Sequence, residues 1–139
     1  MYTICKTLKF EAAHVLDSSY SKCCQQIHGH SYLVDLYFRS EELNTDGMVV
    51  DFGKVKKKVD PLIWKWDHAL IISAATHKKY FTRYNPPARI VIVPYNPTAE
   101  NMARDLFEKI NRRMLSLYKV RVHETATGWA EYERSCGCA

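Results

Sequence analysis

Apolar residues alternate along the first stretch of the chain. Tyr2, Ile4, Leu8, Phe10 and Ala12 fall on one side at period two, which predicts a strand over residues 2–14 whose apolar face ends on His14. The alternation returns at Tyr32, Val34, Leu36 and Phe38 and predicts a second strand over 30–39. Followed backwards, that face meets His30 and then His28. A polar run from Glu41 closes in the turn signal Asp46-Gly47. The spacing then lengthens. Phe52, Val55, Val59, Leu62, Ile63 and Trp66 follow helical spacing behind Asp51, a residue type that caps helix N-termini. Pro61 lies inside this pattern and should kink or interrupt it. Asp67-His68 closes the segment.

Residues 69–96 show no sustained period. Pro86-Pro87 breaks them, and Arg89 to Val93 is a candidate short strand. "NPTAEN", residues 96–101, opens another helix, with Thr98 as N-cap and Glu100 in the positive first turn. Met102, Leu106, Ile110, Met114 and Leu117 form its apolar stripe, which reads as core. Lys119 to Ala126 and Trp129 to Glu133 read as a hairpin around Thr127-Gly128. The order is strand, strand, helix, helix, strand, strand. That is an α+β domain with an antiparallel four-stranded sheet and two helices between strands 2 and 3. One domain over 1–139 is expected, with an insertion at about 69–96. No repeat or linker interrupts it, and the final "CGCA" reads as a loose tail.

Composition narrows the class. The 139 residues suit one compact domain, and 47% apolar content allows a real core. No apolar run is long enough to span a membrane, and the first residues, Met-Tyr-Thr-Ile-Cys-Lys-Thr, do not read as a secretory signal. Five cysteines make an odd number without disulfide-framework spacing, which points to a reducing cytosol. The net charge of +5 suits a small anionic substrate such as a phosphate ester. Lys54, Lys56, Lys57 and Lys58 read as a solvated helix face. No basic stripe interleaved with aromatics speaks for nucleic acid.

The stretch "CCQQIHGHSY", residues 23–32, concentrates candidate chemistry. Side chains alternate across a strand, so His28 and His30 point the same way, and His14 ends the matching face of the preceding strand. Three histidines without a fourth protein ligand make the open zinc site used in catalysis. Histidines at strand ends also serve simply as hydrogen-bonding residues, and Cys23 and Cys24 are near enough to be ligands themselves. Glu124 shares a face with Val120 and Val122, so it is either half of a buried ion pair or a bidentate acceptor for a ligand's N–H groups. Asp67-His68 is an acid–base pair or a cap beside a surface histidine. His77, Cys5, Cys136 and Cys138 read as bystanders.

Taken in order, "FEAAH" (10–14), "CQQIHGHSY" (24–32), "GMVVDF" (47–52), "DHALI" (67–71), "NPTAEN" (96–101) and "HET" (123–125) resemble the 6-pyruvoyl- and 6-carboxy-tetrahydropterin synthase family. The resemblance covers nearly the whole chain. It implies the tunnelling fold and oligomeric barrels, commonly homohexamers built as a dimer of trimers, with sites between subunits. It implies a zinc ion on His14, His28 and His30, and Cys24 as catalytic thiol with Asp67 and His68 as acid–base partners. It makes Glu124 the anchor for a pterin ring. Three residues, Gln25, Gln26 and Ile27, separate Cys24 from His28. That short gap resembles the 6-carboxy type, which turns 7,8-dihydroneopterin triphosphate into 6-carboxytetrahydropterin, acetaldehyde and triphosphate on the way to queuosine and other deazapurines. The 6-pyruvoyl type, which eliminates triphosphate, has a longer gap. The subgroup serving folate synthesis has glutamate in place of the cysteine. A non-catalytic zinc-containing module for pterins or purines is the alternative outside enzymology. Two departures from the pattern stand out. Cys23 occupies an inserted position before Cys24, and the 69–96 segment carries His77, Lys78, Lys79, Arg83 and Arg89, which could reshape the phosphate end of a pocket.

Overall fold

The computed structural model of the chain describes residues 1–81, 83 and 87–134. The tail cysteines Cys136 and Cys138, and Pro86 of the Pro-Pro break, lie outside the described residues. Elements follow in the order β1 (Tyr2–His14), β2 (His28–Ser40), α1 (Phe52–Trp66), β3 (Ala69–Ser73), α2 (Ala74–Tyr80), β4 (Ile90–Val93), α3 (Ala99–Asn111), β5 (Leu117–His123) and β6 (Trp129–Glu133). No helix among the described residues is long and apolar enough to cross a membrane.

β1 and β2 form the spine. They pair antiparallel along their full length, with Phe10 opposite Tyr32, Ala12 opposite His30 and His14 opposite His28. The alternation seen in sequence is the physical cause. One face, with Phe10, Tyr32, Val34, Leu36 and Phe38, is buried against α1 and α3. Phe10 stacks on Tyr32 at 4.7 Å between ring centroids, and burying a side chain of this size contributes roughly 1.5–3 kcal/mol.

The sheet has six strands in the order β4-β3-β1-β2-β5-β6, not the four expected, and three helices are described rather than two. The additions come from residues 69–93. β3 pairs parallel with the end of β1, and β4 parallel with β3, so the sheet is not wholly antiparallel. Residues Ala69 to Ile72 are all buried. A strand covered on both faces reads as a continuous apolar run with no period of two, which hides it from periodicity. Leu70 and Ile72, with Val15, pack against Ala13, Phe81 and Ile90 as a second, smaller cluster.

Caps stand where the sequence placed them. Asp51 accepts from the Lys54 N–H at 2.8 Å, and Thr98 caps α3 through the Asn101 N–H. α1 continues through Pro61 without interruption. Proline has no N–H to donate to the carbonyl of Lys57, which lies on an exposed residue of the helix. Leu117, expected to end the α3 stripe, instead begins β5, which stops at His123, earlier than expected.

Candidate metal centre and active site

The period-two faces of β1 and β2 run out on histidines at the same end of the sheet. Antiparallel register then makes neighbours of residues far apart in sequence. His14 lies opposite His28, and His30 lies two residues along the same face. One nitrogen from each ring lies within 4.8 Å of the others, a group that could hold a metal ion.

The backbone fixes which nitrogens face inward. His14 Nδ1 lies 2.7 Å from the Pro97 carbonyl, and His28 Nδ1 lies 2.8 Å from the Gln26 carbonyl. A carbonyl only accepts, so both Nδ1 atoms carry the proton and both Nε2 atoms of the neutral rings carry lone pairs. Those two Nε2 atoms face each other at 2.9 Å. Two lone pairs repel at that distance unless a cation stands between them. A proton satisfies two rings; a metal ion satisfies all three. Tetrahedral zinc with bonds near 2.0–2.1 Å places its nitrogens about 3.3 Å apart, close to the spacing of this pair. The carbonyl partners supply the outer hydrogen bonds that orient metal-binding imidazoles. The Glu124 backbone beside His30 raises that ring's pKa against the effect of burial.

Burial also prepares the site for a cation other than a proton. His14 is 1% exposed, and burial pushes its pKa down to about 4, against the raising effect of the Pro97 hydrogen bond. Burial likewise lowers His30, and the neighbouring His28 adds to it. At neutral pH the free ligand nitrogens of both rings therefore stay available.

Glu124 follows β5 on the face of Val120 and Val122, as the alternation indicated, and its Oε1 is 4.0 Å from His14 Nε2. It is half-buried without a basic partner from Lys or Arg among the described residues. Burial, and then the charge of Glu100, push its carboxyl above the ordinary range, with His28 opposing.

Asp67 and His68 are joined, with Asp67 Oδ2 at 3.0 Å from His68 Nδ1. Asp67 Oδ1 also accepts the Glu11 N–H at 2.9 Å. That bond, and then His68, hold the Asp67 carboxyl below its ordinary range. His68 is exposed and has φ of 56°, a left-handed conformation uncommon outside glycine. His68 lines a cleft of about 580 Å³ together with Glu11, Ala12, Gly29, His30 and Ser31, among others. His30 belongs to the trio, so His68 and His30 border the same space. Cys24 lies half-buried in the 15–27 loop, where its carbonyl accepts the Leu16 N–H at 2.9 Å. Among the described residues no hydrogen bond or ion pair links Cys24 to the trio or to the Asp67–His68 pair. Cys23 and Cys5 are exposed free thiols. The chain thus brings the trio and Glu124 together and sets His68 on a cleft shared with His30, while Cys24 has no hydrogen bond or ion pair to either group among the described residues. Sequence reading missed the carbonyls of Pro97 and Gln26, because every residue carries a carbonyl and only the fold selects two.

Comparison with known proteins gives consistent results. A family model described as 6-pyruvoyl tetrahydropterin synthase matches residues 3–135. A 6-carboxy-5,6,7,8-tetrahydropterin synthase from Haemophilus influenzae is 32% identical, over 96% of this chain and 99% of that protein. One from Aquifex aeolicus is 30% identical, over 95% and 98%. The solved structure of Caenorhabditis elegans 6-pyruvoyl tetrahydropterin synthase superposes with a TM-score of 0.72 at 28% identity, covering 96% of both chains.

Proposed function

The chain belongs to the 6-pyruvoyl tetrahydropterin synthase family, and from that premise we propose that it is a zinc-dependent 6-carboxy-5,6,7,8-tetrahydropterin synthase. The observation that carries the reading is the convergence of three imidazoles beside the Glu124 carboxylate, 4.0 Å from His14. The relatives named as 6-carboxy-5,6,7,8-tetrahydropterin synthases match over nearly their full length, and the short gap from Cys24 to His28 supports the same product. The substrates would be 7,8-dihydroneopterin triphosphate and one water, and the products 6-carboxytetrahydropterin, acetaldehyde and triphosphate, in a route to queuosine.

His14, His28 and His30 would hold zinc, which supplies Lewis acidity toward the oxygens of the substrate side chain. Glu124 would accept two adjacent N–H bonds from the pterin ring, a bidentate geometry that fixes orientation. Cys24 would move a proton between side chain and ring. His68, oriented by Asp67, would exchange protons with it as the acid–base partner.

The lack, among the described residues, of any hydrogen bond or ion pair from Cys24 to the trio or to His68 supports a homo-oligomer whose sites form between copies, with a dimer of trimers as the expected assembly. Among the described residues, β1 pairs on its outer side with β3 at residues 12–14, and the Glu11 backbone is bonded to Asp67 and His68, so residues 2–10 present an open strand edge, and β6 ends the sheet on the other side. Open edges invite pairing with another chain. A single domain in a reducing cytosol accords with free Cys5, Cys23 and Cys24. The testing experiment is consumption of 7,8-dihydroneopterin triphosphate by zinc-loaded protein, by protein stripped with chelator, and by stripped protein reloaded. Turnover that follows zinc supports the reading. Zinc binding without turnover would favour a pterin-binding module.

A further inference from the structure

Tyr32 plays no part in the proposed chemistry. It is fully buried in β2, and its hydroxyl is the buried side-chain polar atom that has no hydrogen-bond partner among the described residues. Buried phenols normally find a partner, and an orphan in a well-packed core calls for a reason. Its position supplies one. The ring stacks on Phe10 and stands edge-on to His30 at 5.4 Å and to His14 at 6.0 Å between centroids. Register sets the third neighbour. Leu33 pairs with His123, so one further step along β2 and β5 places Glu124 beside Tyr32 on the same face. Across the strand, Ala12 faces His30 with only a methyl group, so the face beside the trio carries no further polar side chain at that register position.

The groups around this spot offer the hydroxyl little. His14 and His28 direct lone pairs toward the metal position, and Phe10 has no acceptor. Glu124 is committed to the pterin ring in the proposed reaction. An acceptor has to arrive with whatever binds there. Resting on the metal-site reading, we propose that the Tyr32 hydroxyl donates a hydrogen bond to an oxygen atom of the ligand held at the open side of the His14–His28–His30 trio. Tyr32 then favours ligands that present oxygen at that point over ligands that present nitrogen.

The test uses the full chain loaded with cobalt(II), whose visible absorption reports ligand binding. Tyr32→Phe removes only the hydroxyl and keeps the ring stacked on Phe10. Two probes are titrated, acetohydroxamate as an oxygen donor and imidazole, whose bound form has no free acceptor. The expected result is unchanged cobalt stoichiometry, unchanged or higher thermal stability, and about tenfold weaker acetohydroxamate binding, the worth of one hydrogen bond. Imidazole affinity should stay within about twofold on the same scale. Equal acetohydroxamate affinity in both proteins overturns the proposal. So does a parallel loss for both probes, which marks a packing effect, and so does wild-type protein that binds no cobalt. If wild-type protein shows the probe selectivity but does not turn over the pterin triphosphate, the proposed reaction fails and the role of Tyr32 stands.

Discussion

Glu124→Gln separates function from folding more cleanly than any other single change. The substitution keeps size and shape but replaces one acceptor oxygen with a donor. If the carboxylate receives two N–H bonds from a pterin, the variant keeps one and sets its own N–H₂ against the other. Removing one partner of a buried, charge-assisted contact costs roughly 2–4 kcal/mol, or about 30- to 1000-fold in affinity. Stability should move the other way. Burial and Glu100 raise the Glu124 carboxyl above its ordinary value of 4.5, so the folded chain binds that proton more tightly than the unfolded chain. Its contribution to stability is fully present below about 4.5 and is lost as pH rises through the raised folded value. At pH 7 the ionised group therefore weighs against the metal-free fold, and glutamine does not. The metal-stripped variant should unfold at the same temperature as wild type or higher at pH 7, and the gap should close below about pH 4.5. Calorimetric titration with 7,8-dihydroneopterin, alongside melting curves at both pH values, provides the assay. Unchanged pterin affinity would remove the anchor role, and a large drop in melting temperature would recast Glu124 as structural.

Three further outcomes are expected. His30→Ala should lose zinc and turnover together in metal analysis, and zinc retained at full stoichiometry would dismiss the trio as the site. Cys24→Ala should keep its zinc while turnover falls about 10²- to 10⁴-fold, with Cys23→Ala losing about tenfold at most; the reverse ranking in steady-state rates would shift the register across the inserted residue. For the metal-stripped protein, depression of His14 from 6.5 to about 4 means that its stabilising contribution is present above 6.5 and is lost as pH falls through about 4. Urea midpoints between pH 7.5 and 4 should therefore fall for wild type relative to a non-titrating His14→Asn variant, and parallel curves would contradict the buried neutral ring.

How much of this was visible in the chain depended on how far each signal could travel. Period-two faces carried β1 and β2, and because His14, His28 and His30 continue those faces, the trio was legible before any coordinates. Glu124 was legible for the same reason, through Val120 and Val122. β3 was not, because Ala69 to Ile72 are buried on both sides and show no alternation. β4 was glimpsed at Arg89 to Val93, but its parallel pairing was not, since short strands say nothing about direction. The placement of Asp67 and His68 beside the edge of β1, where His68 shares a cleft with His30, rests on the Glu11 hydrogen bond and the short parallel pairing that follows it. No local pattern encodes such a contact between residues 56 positions apart.

The most direct test of the proposed activity is the identity of the product. Zinc-loaded protein is incubated with 7,8-dihydroneopterin triphosphate, and the pterin is identified by mass while acetaldehyde is trapped and quantified. A 6-carboxy synthase yields 6-carboxytetrahydropterin, with one acetaldehyde and one triphosphate released for each substrate consumed, and that is the expected result. A 6-pyruvoyl product formed with triphosphate but without acetaldehyde would contradict it.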